Sequence, residues 1–497
     1  MTSSHQHAKV IIVGSGFSGL GMAARLKEAG IEDLIILERA DEVGGAWQAN
    51  TYPGCTCDVP SHLYSFSFAP NPEWSSTYSP QPEIHDYLRR CADRFGLRPH
   101  LRLNVEVELA TWREDDQLWE LDSSDGTFTA NVVVSAMGPL TEPKLPDVPG
   151  LDTFEGTVMH SARWDHDYDL AGKRVASIGT GASAIQYVPE ISADVDQLFV
   201  FQRTAPWIMP HGKRPIRDAE RALYRRVPLA QKLVRGAVYA ARELLVVGFA
   251  KRPRVMGAFE RMARSHRNKQ ISDPRLRRDV TPSYKLGCKR LVPSNHWYRA
   301  LQRPNVELVP SALHEVRARS VVDTGGVERD VDAIVFGTGF HVTDIPAAHH
   351  VRGCDGALLS EVWQGSPRAY LGTSMPGFPN FFMLLGPNTG LGHSSMVYMI
   401  ESQVEHVRDA ITAMDGAGAA AIEVRGEAHD AFNRDVDSQM RGTVWDVGGC
   451  SSFYIDATGR NATLWPDWTW RFRRRARRFD AAAYQLTAPT PATAVAA

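Results

Sequence analysis

Short apolar runs, each closed by glycine, recur along this chain. Val10-Ile11-Ile12-Val13 leads into Gly14-Ser15-Gly16-Phe17-Ser18-Gly19, a helical pattern follows, and Leu34-Ile35-Ile36-Leu37 ends at Glu38. The same order returns with Arg174-Val175-Ala176-Ser177-Ile178, Gly179-Thr180-Gly181-Ala182-Ser183-Ala184 and Leu198-Phe199-Val200-Phe201. Residues 102–109 and 119–129 read as further strands, and Val132-Val133-Val134-Ser135-Ala136-Met137 is stopped by Gly138-Pro139. Ala333-Ile334-Val335-Phe336 before Gly337 repeats that strand-then-glycine theme. Residues 209–287 differ: they are rich in arginine, with Leu223, Val227, Leu229, Leu233, Val238 and Leu244 at helical spacing and few strand formers.

The pattern predicts an α/β protein of two interleaved Rossmann-like dinucleotide-binding domains with a helical insertion. Its expected parts are 1–144 and 343–497 for the first domain, 145–208 and 288–342 for the second, and 209–287 for the insertion. The return of the chain to the first domain after about 343 is required because one βαβ half is too small to enclose a dinucleotide and a reactive ring.

Each glycine cluster has a partner at the end of its next strand, 22 residues beyond its second glycine, and the two partners carry opposite charge: Glu38 and Arg203. That position faces the nucleotide ribose. A carboxylate there accepts hydrogen bonds from ribose hydroxyls, whereas a guanidinium pairs with a 2′-phosphate. The first site is therefore expected to hold a nucleotide without that phosphate and the second to hold NADP.

Composition narrows the partners. The 497 residues are 43% hydrophobic and 23% charged, with net charge −2 from 57 acidic and 55 basic side chains, so nothing in bulk calls for nucleic acid or a membrane. The polar start, Met1 to Lys9, leaves no room for a leader, and the longest apolar stretch, residues 244–250, is too short to span a bilayer. A cytoplasmic location, no integral membrane segment, no nucleic acid, and a monomer or weak oligomer are expected. Six cysteines without paired CxxC spacing read as reduced thiols and leave no metal site. Residues 465–479 interleave aromatics with arginines, which superficially suggests RNA or anionic lipid; a solvated basic terminal helix is the preferred reading, with the Ala/Pro/Thr-rich end after Asp480 frayed.

Two further motifs carry a family resemblance. Phe154-Glu155-Gly156-Thr157-Val158-Met159-His160-Ser161-Ala162-Arg163-Trp164-Asp165 resembles the signature F-x-G-x-x-x-H-x-x-x-W-[PD] of the type I Baeyer-Villiger monooxygenases. Residues 44–58, Gly44-Gly45-Ala46-Trp47 through Tyr52-Pro53-Gly54 to Asp58, match that family's [AG]-G-x-W-x₄-[FY]-P-[GM]-x₃-D at every specified position. With the glycine clusters, the resemblance covers nearly the whole chain in order. It implies FAD in the first site, NADPH in the second, and an oxidoreductase that inserts one atom of O₂ beside a ketone carbonyl, through a C4a-peroxyflavin, to give an ester or lactone.

The resemblance also implies roles. Arg290 and Asp58 are the candidate catalytic residues, Arg290 supplying positive charge where oxygen becomes anionic and Asp58 holding it in place. Gly14, Gly16, Phe17, Gly19, Glu38, Gly45, Trp47, Asp58, Tyr64 and Asn388 are assigned to FAD; Gly179, Gly181, Ser183, Arg203, Thr204 and Lys289 to NADP. Asn388 lies in Gly386-Pro387-Asn388-Thr389-Gly390-Leu391-Gly392-His393, which resembles the loop meeting the flavin ring. His160 is read as structural. The departure from the best-known cyclic-ketone enzymes at residues 59–66 borders the expected substrate pocket, so the ketone stays open. Rival readings are a flavin-containing monooxygenase of amines or sulfides, which places Tyr or Phe where Trp164 stands; a disulfide reductase, which needs a CxxxxC pair; and a non-catalytic RNA- or lipid-binding protein resting on the C-terminal arginines.

Overall fold

The computed structural model describes residues 6–477 and 479–490. The first five residues and residues 491–497, the far end of the tail read as frayed, lie outside the described part. Two sheets organise the chain. The larger has eight strands, in spatial order Val351–Arg352, Val107–Arg113, Leu118–Ser123, Gly126–Ser135, Gln6–Val13, Leu34–Glu38 and Leu101–Leu103, with Phe381–Met383 pairing alongside Gly126–Ser135. Its centre is parallel: Val10 pairs with Leu34 and Val132, and helix Phe17–Glu28 makes the crossover. These strands are buried on both faces, which accounts for their continuous apolar sequence. Phe381–Met383 is seated by Asn380, whose amide donates to the carbonyls of Asn131 and Ala420 while its oxygen accepts from Ile422 N.

The second sheet is parallel throughout, in order Val306–Val309, Gln197–Phe201, Arg174–Ile178, Ala333–Phe336 and Thr157–His160. Three antiparallel strands, Leu313–Arg317, Ser320–Asp323 and Glu328–Asp330, cover one of its faces through Val316 and Val321. Between the two halves of this sheet in sequence, residues 209–287 form helices Asp218–Arg226, Pro228–Glu243, Met256–Gln270 and Pro274–Asp279, and the short parallel pair Ile208–Met209 with Val292–Pro293 closes their base. Proline at the first helical turn and the Asp273 carboxylate, which accepts from Arg275 N and Leu276 N, start the last of these helices.

Four expectations change. The strand expected at 102–109 is two strands on opposite sides of the sheet. Asn104, in the left-handed region at φ 59°, bends the chain between them, and Asn104 N and Val105 N are taken by the carbonyls of Ala40 and Glu38. Residues 119–129 are a hairpin turned at Ser124 and Asp125, its second strand running on into the apolar run at 132–135. The six expected thiols are four, because Cys288 and Cys450, 162 residues apart in sequence, form a disulfide with their Cα atoms 6.1 Å apart. Spacing carries no trace of such a pair, since the fold alone brings the two loops together. Burial raises the Cys55 and Cys91 thiols to about 11, which leaves them inert near neutral pH.

The fourth concerns the C-terminus. Helix Thr469–Ala476 is docked through Phe472 and Ala476 rather than freely solvated, and the chain past Asp480 adds strand Tyr484–Thr487 to Ala421–Val424. Tyr484 is buried, and its hydroxyl meets His406 Nε2 at 2.8 Å and Ser374 Oγ at 3.1 Å. Burial lowers the His406 imidazole to about 4. A histidine whose pKa is depressed by folding takes up its proton more readily in the unfolded chain. Its contribution to stability is whole above about pH 6.5 and is lost as pH falls toward 4. Thermal unfolding is expected to drop across that window, His406 contributing on the order of 1–2 kcal/mol at pH 5. Replacing His406 by Asn flattens the dependence; an unchanged pH profile in the variant refutes the assignment.

Candidate active site

At the first glycine cluster the turn between strand Gln6–Val13 and helix Phe17–Glu28 is shaped by two different demands. A Cβ on Gly19 would lie 1.9 Å from the carbonyl oxygen of Gly14, so the fold itself requires glycine there. A Cβ on Gly16 would meet nothing closer than 3.5 Å, its neighbour being Gly45 Cα across a gap lined by backbone. Gly16 and Gly45 thus leave an open cradle at a helix N-terminus, where unpaired N–H groups and the helix dipole favour a pyrophosphate. Glu38 ends the adjacent strand, buried, with its carboxylate accepting from Ser15 N at 2.8 Å, Ser15 Oγ at 2.7 Å and Ala40 N at 3.0 Å. Those bonds fix the carboxylate beside the cradle and leave acceptor capacity for ribose hydroxyls.

Aromatic packing builds the wall next to it. Phe17 packs edge-on against Tyr64 at 5.2 Å between ring centres, Tyr64 packs edge-on against Trp47 at 5.5 Å, and Trp47 Nε1 donates to the Tyr64 hydroxyl at 3.1 Å. Residues 45, 47 and 64, distant in sequence from the glycine turn, therefore share its surroundings.

The second cluster repeats the geometry with one change. A Cβ on Gly179 would approach the Gly337 carbonyl oxygen to 2.6 Å, whereas one on Gly181 would meet nothing nearer than 3.8 Å. Gly337, at the end of its strand, takes over the close approach that the third glycine provides in the first cluster, since a Cβ there would strike the Tyr187 hydroxyl and Ala184. Ser183 is half-buried in the first turn of helix Ala182–Ile191. Thr204 accepts from Thr180 Oγ1 through its carbonyl, which ties the strand end to the glycine turn. Arg203 is exposed, and neither it nor Lys289 has an ion-pair partner among the described residues. Burial, and then the positive charge of Arg203, lowers the Lys289 amine. Two unpaired cations converging beside a helix N-terminus are suited to a phosphate dianion.

Between the two cradles lies the tightest charge pair of the region. Arg290 donates through Nε and Nη2 to Asp58 at 3.0, 2.7 and 2.8 Å, and through Nη1 to the Leu391 carbonyl at 2.9 Å. One guanidinium thus joins the segment after residue 57, the loop 386–393 and the end of the helical insertion. Burial pushes the Asp58 carboxyl up, but the charge and hydrogen bonds of Arg290 more than offset this and hold it below its usual value. Asp58 in turn raises Arg290 well above its usual value, so the cation persists at any working pH. The two side chains are about a fifth to a third exposed.

The Asp58 segment is anchored to the second unit by Gln186. Its amide oxygen accepts from the Tyr52 hydroxyl at 2.9 Å and Thr56 N at 3.2 Å, and its nitrogen donates to Thr56 O at 2.9 Å. A cavity of about 280 Å³ opens beside this contact, bounded by Gly54, Gln186, His211, Lys213 and Asn295.

Two residues behave differently from simple motif matching. Asn388 is buried with its amide committed to the chain: the nitrogen donates to Asn461 O and Leu464 O, and the oxygen accepts from Arg460. It shapes the loop, with both of its amide hydrogens taken within the chain. His160 accepts from Ala162 N through Nδ1, and burial lowers its pKa to about 4, in keeping with a neutral structural residue at the crossing between the units. Sequence reasoning missed Ser15, Gln186, the Leu391 carbonyl and Tyr454, whose hydroxyl lies beside Arg290 and is raised to about 12 by burial. Ser15 and Leu391 lie within quoted motifs but at positions those motifs leave unspecified, and Gln186 and Tyr454 lie in no motif; none carries a charge, so no pattern flags them.

Residues 7–219 match the flavin-binding monooxygenase-like family. The chain is 54% identical to a Baeyer-Villiger monooxygenase of Streptomyces coelicolor, over 98% of this chain and 94% of that protein. It is 50% identical to a Baeyer-Villiger monooxygenase of Pseudomonas aeruginosa, over 99% and 93%. Among solved structures, an oxidised steroid monooxygenase bound to NADP superposes with TM-score 0.85 at 32% identity, over 97% of this chain and all of that one. The closed form of cyclohexanone monooxygenase superposes with TM-score 0.85 at 29% identity, over 98% of this chain and all of that one.

Proposed function

The chain belongs to the Baeyer-Villiger branch of the flavin-binding monooxygenases, and from that premise we propose that it converts a ketone to an ester or lactone around Arg290. FAD and NADPH are the cofactors. We assign FAD to the cradle of Gly14, Gly16, Gly45 and Glu38, within residues 1–144 and 343–497. NADPH is assigned to Gly179, Gly181, Arg203 and Lys289, within 145–208 and 288–342, and the insertion 209–287 covers the cleft. Reduced by NADPH, FAD supplies the electrons that make O₂ able to give one atom to the ketone carbon.

The observation that carries the reading is the three-way hold on Arg290. When an oxygen nucleophile adds to a ketone, negative charge passes to the carbonyl oxygen, and a guanidinium already fixed by Asp58 and Leu391 stabilises that charge without reorganising. Asp58 is the positioning residue; its bidentate grip sets the plane of the guanidinium. Tyr64 and Trp47, bonded to each other, present an apolar wall that excludes water from the same space. Trp164, where amine and sulfide oxygenases carry Tyr or Phe, packs on Tyr187 with ring centres 5.5 Å apart. We place the enzyme in the cytoplasm; no helix among the described residues is long and apolar enough to cross a membrane.

The test is a panel of cyclic, aromatic, linear and steroidal ketones with NADPH, products identified by a mass gain of one oxygen. Ester or lactone formed in step with NADPH loss is expected. Formation of N-oxides or sulfoxides from amine and sulfide controls, with no ester from any ketone, refutes the assignment.

The cradle has its own test. Gly16→Val is expected to fold but to purify with depleted flavin, because the new methyls enter the gap facing Gly45. Gly19→Val is expected to lose the fold, since its Cβ overlaps a backbone oxygen. Glu38→Ala is expected to fold with weakened flavin retention. Absorbance at the flavin band against protein, with thermal melts, separates these outcomes, and full flavin in both Gly16→Val and Glu38→Ala shows the cradle misassigned.

A further inference from the structure

We propose that the outer face of helix Pro228–Glu243, with the neighbouring Trp470, docks on the surface of an anionic lipid bilayer. The helix is apolar on both sides. Its protein-facing side packs Ala230, Val234, Val238 and Tyr239 against the core and also buries polar groups: Gln231 donates to Asn71 O, Arg235 to the carbonyls of His62 and Ser65, and Glu243 accepts from Thr469 N and Oγ1. Its outward side is apolar. Leu229, Leu233 and Leu244 are 63%, 66% and 65% exposed, and Ala237, Ala240 and Ala241 between them are also exposed. At 3.6 residues per turn these positions fall on one stripe, which a purely aqueous surface gives no reason to maintain.

The stripe has neighbours of the same character. Leu223 and Val227, on and just after the preceding helix, are exposed, as is Trp470. Trp470 is brought alongside because Thr469, the residue before it, bonds Glu243 and the Tyr239 hydroxyl.

Charge selects the occupant. Residues 217–255 contain ten lysines and arginines against three acidic residues, in a chain whose net charge is −2. Arg226, Lys232, Arg252, Arg254 and Arg474 are exposed and have no ion-pair partner among the described residues. A helix lying in the interface with leucines below, a tryptophan at its end and cations around it matches the chemistry of a bilayer surface bearing anionic headgroups. A water-soluble protein partner would need matching acidic side chains and a large apolar patch of its own. The opposite side of the insertion reaches the active-site region, since Phe249 and Met256 pack with Cys288 and Trp445. Docking would therefore set the cleft close to a phase in which apolar ketones concentrate.

Lipid binding of this kind is independent of ketone oxygenation, so the two readings fail separately. The test is sedimentation of the full-length, flavin-loaded enzyme with vesicles. Binding to phosphatidylcholine–phosphatidylglycerol vesicles at low salt is expected, with little binding to pure phosphatidylcholine and release at high salt. Leu229→Glu/Leu233→Glu is expected to lower binding by about tenfold or more, while flavin content and melting temperature stay at the parent values because neither side chain packs against the protein. Lys232→Glu/Arg252→Glu is expected to remove the preference for the anionic lipid. Failure to sediment with the anionic vesicles, or equal binding by the leucine variant, overturns the proposal. So does a lipid-free dimer that the leucine substitutions dissociate, which would show a second copy of the chain on the stripe.

Discussion

Arg290→Ala is expected to lower ester formation by roughly 10² or more, as when one preorganised charge partner is removed from a reacting centre. NADPH oxidation is expected to continue more slowly and to release H₂O₂ in place of ester. The split follows from the role proposed for the guanidinium, which is to stabilise charge on oxygen, whereas hydride transfer requires mainly that two rings stack. Removing Arg290 also strands Asp58 as an uncompensated carboxylate and frees the Leu391 carbonyl. A melt of the variant is therefore measured alongside. Arg290→Lys separates charge from geometry, because an ammonium keeps the charge but cannot bind Asp58 and Leu391 in one plane. It is expected to retain NADPH oxidation and recover only part of the ester yield. Asp58→Asn should behave as a milder Arg290→Ala. Since Asp58 is held low and Arg290 high, the ester formed per NADPH should not titrate through this pair between about pH 5 and 10. An Arg290→Ala enzyme making ester at parental yield per NADPH removes the proposed role.

Coenzyme choice is expected to collapse when the paired cations are removed. Arg203 and Lys289 each offer a charge-assisted contact to a 2′-phosphate, worth about 1.5–3 kcal/mol before screening. Exposure of Arg203 puts its share near the lower figure. Either alanine variant should lose about tenfold or more in kcat/KM for NADPH, and the double variant about 10² to 10⁴. NADH, which lacks the phosphate, should be used nearly as before, and by Lys289→Ala somewhat better if relief of repulsion with Arg203 steadies the site. Added salt should narrow the NADPH preference of the parent enzyme. Equal losses with NADH and NADPH would show that these cations support the fold rather than read the phosphate.

Much of this was written in local sequence. The two glycine turns, each a strand–turn–helix with a charged residue ending the next strand, are decided within about thirty residues, where steric and hydrogen-bond requirements act on near neighbours. That is why Gly14, Gly19 and Glu38 stand where the pattern puts them. The hairpin at 118–135 was blurred because its apolar second strand masked a weak Ser-Ser-Asp-Gly turn, and the strand break at Asn104 because one residue in a left-handed conformation leaves little trace in composition.

Long-range decisions were a different matter. Cys288 meets Cys450, Arg290 meets the Leu391 carbonyl, Gln186 holds the Asp58 segment, and Tyr484 packs back against His406; each joins residues that have no relation in spacing. The amide of Asn388, assigned to the cofactor by its motif, is consumed by Asn461, Leu464 and Arg460. In the insertion, periodicity named the leucines but not the direction they face. Sequence determined the central apolar strands, the two glycine turns and the identity of the charged groups, because backbone sterics and residue chemistry act locally. Tertiary structure alone decided how those groups are held and which faces are left bare, because a side chain's partners are set by packing among segments hundreds of residues apart.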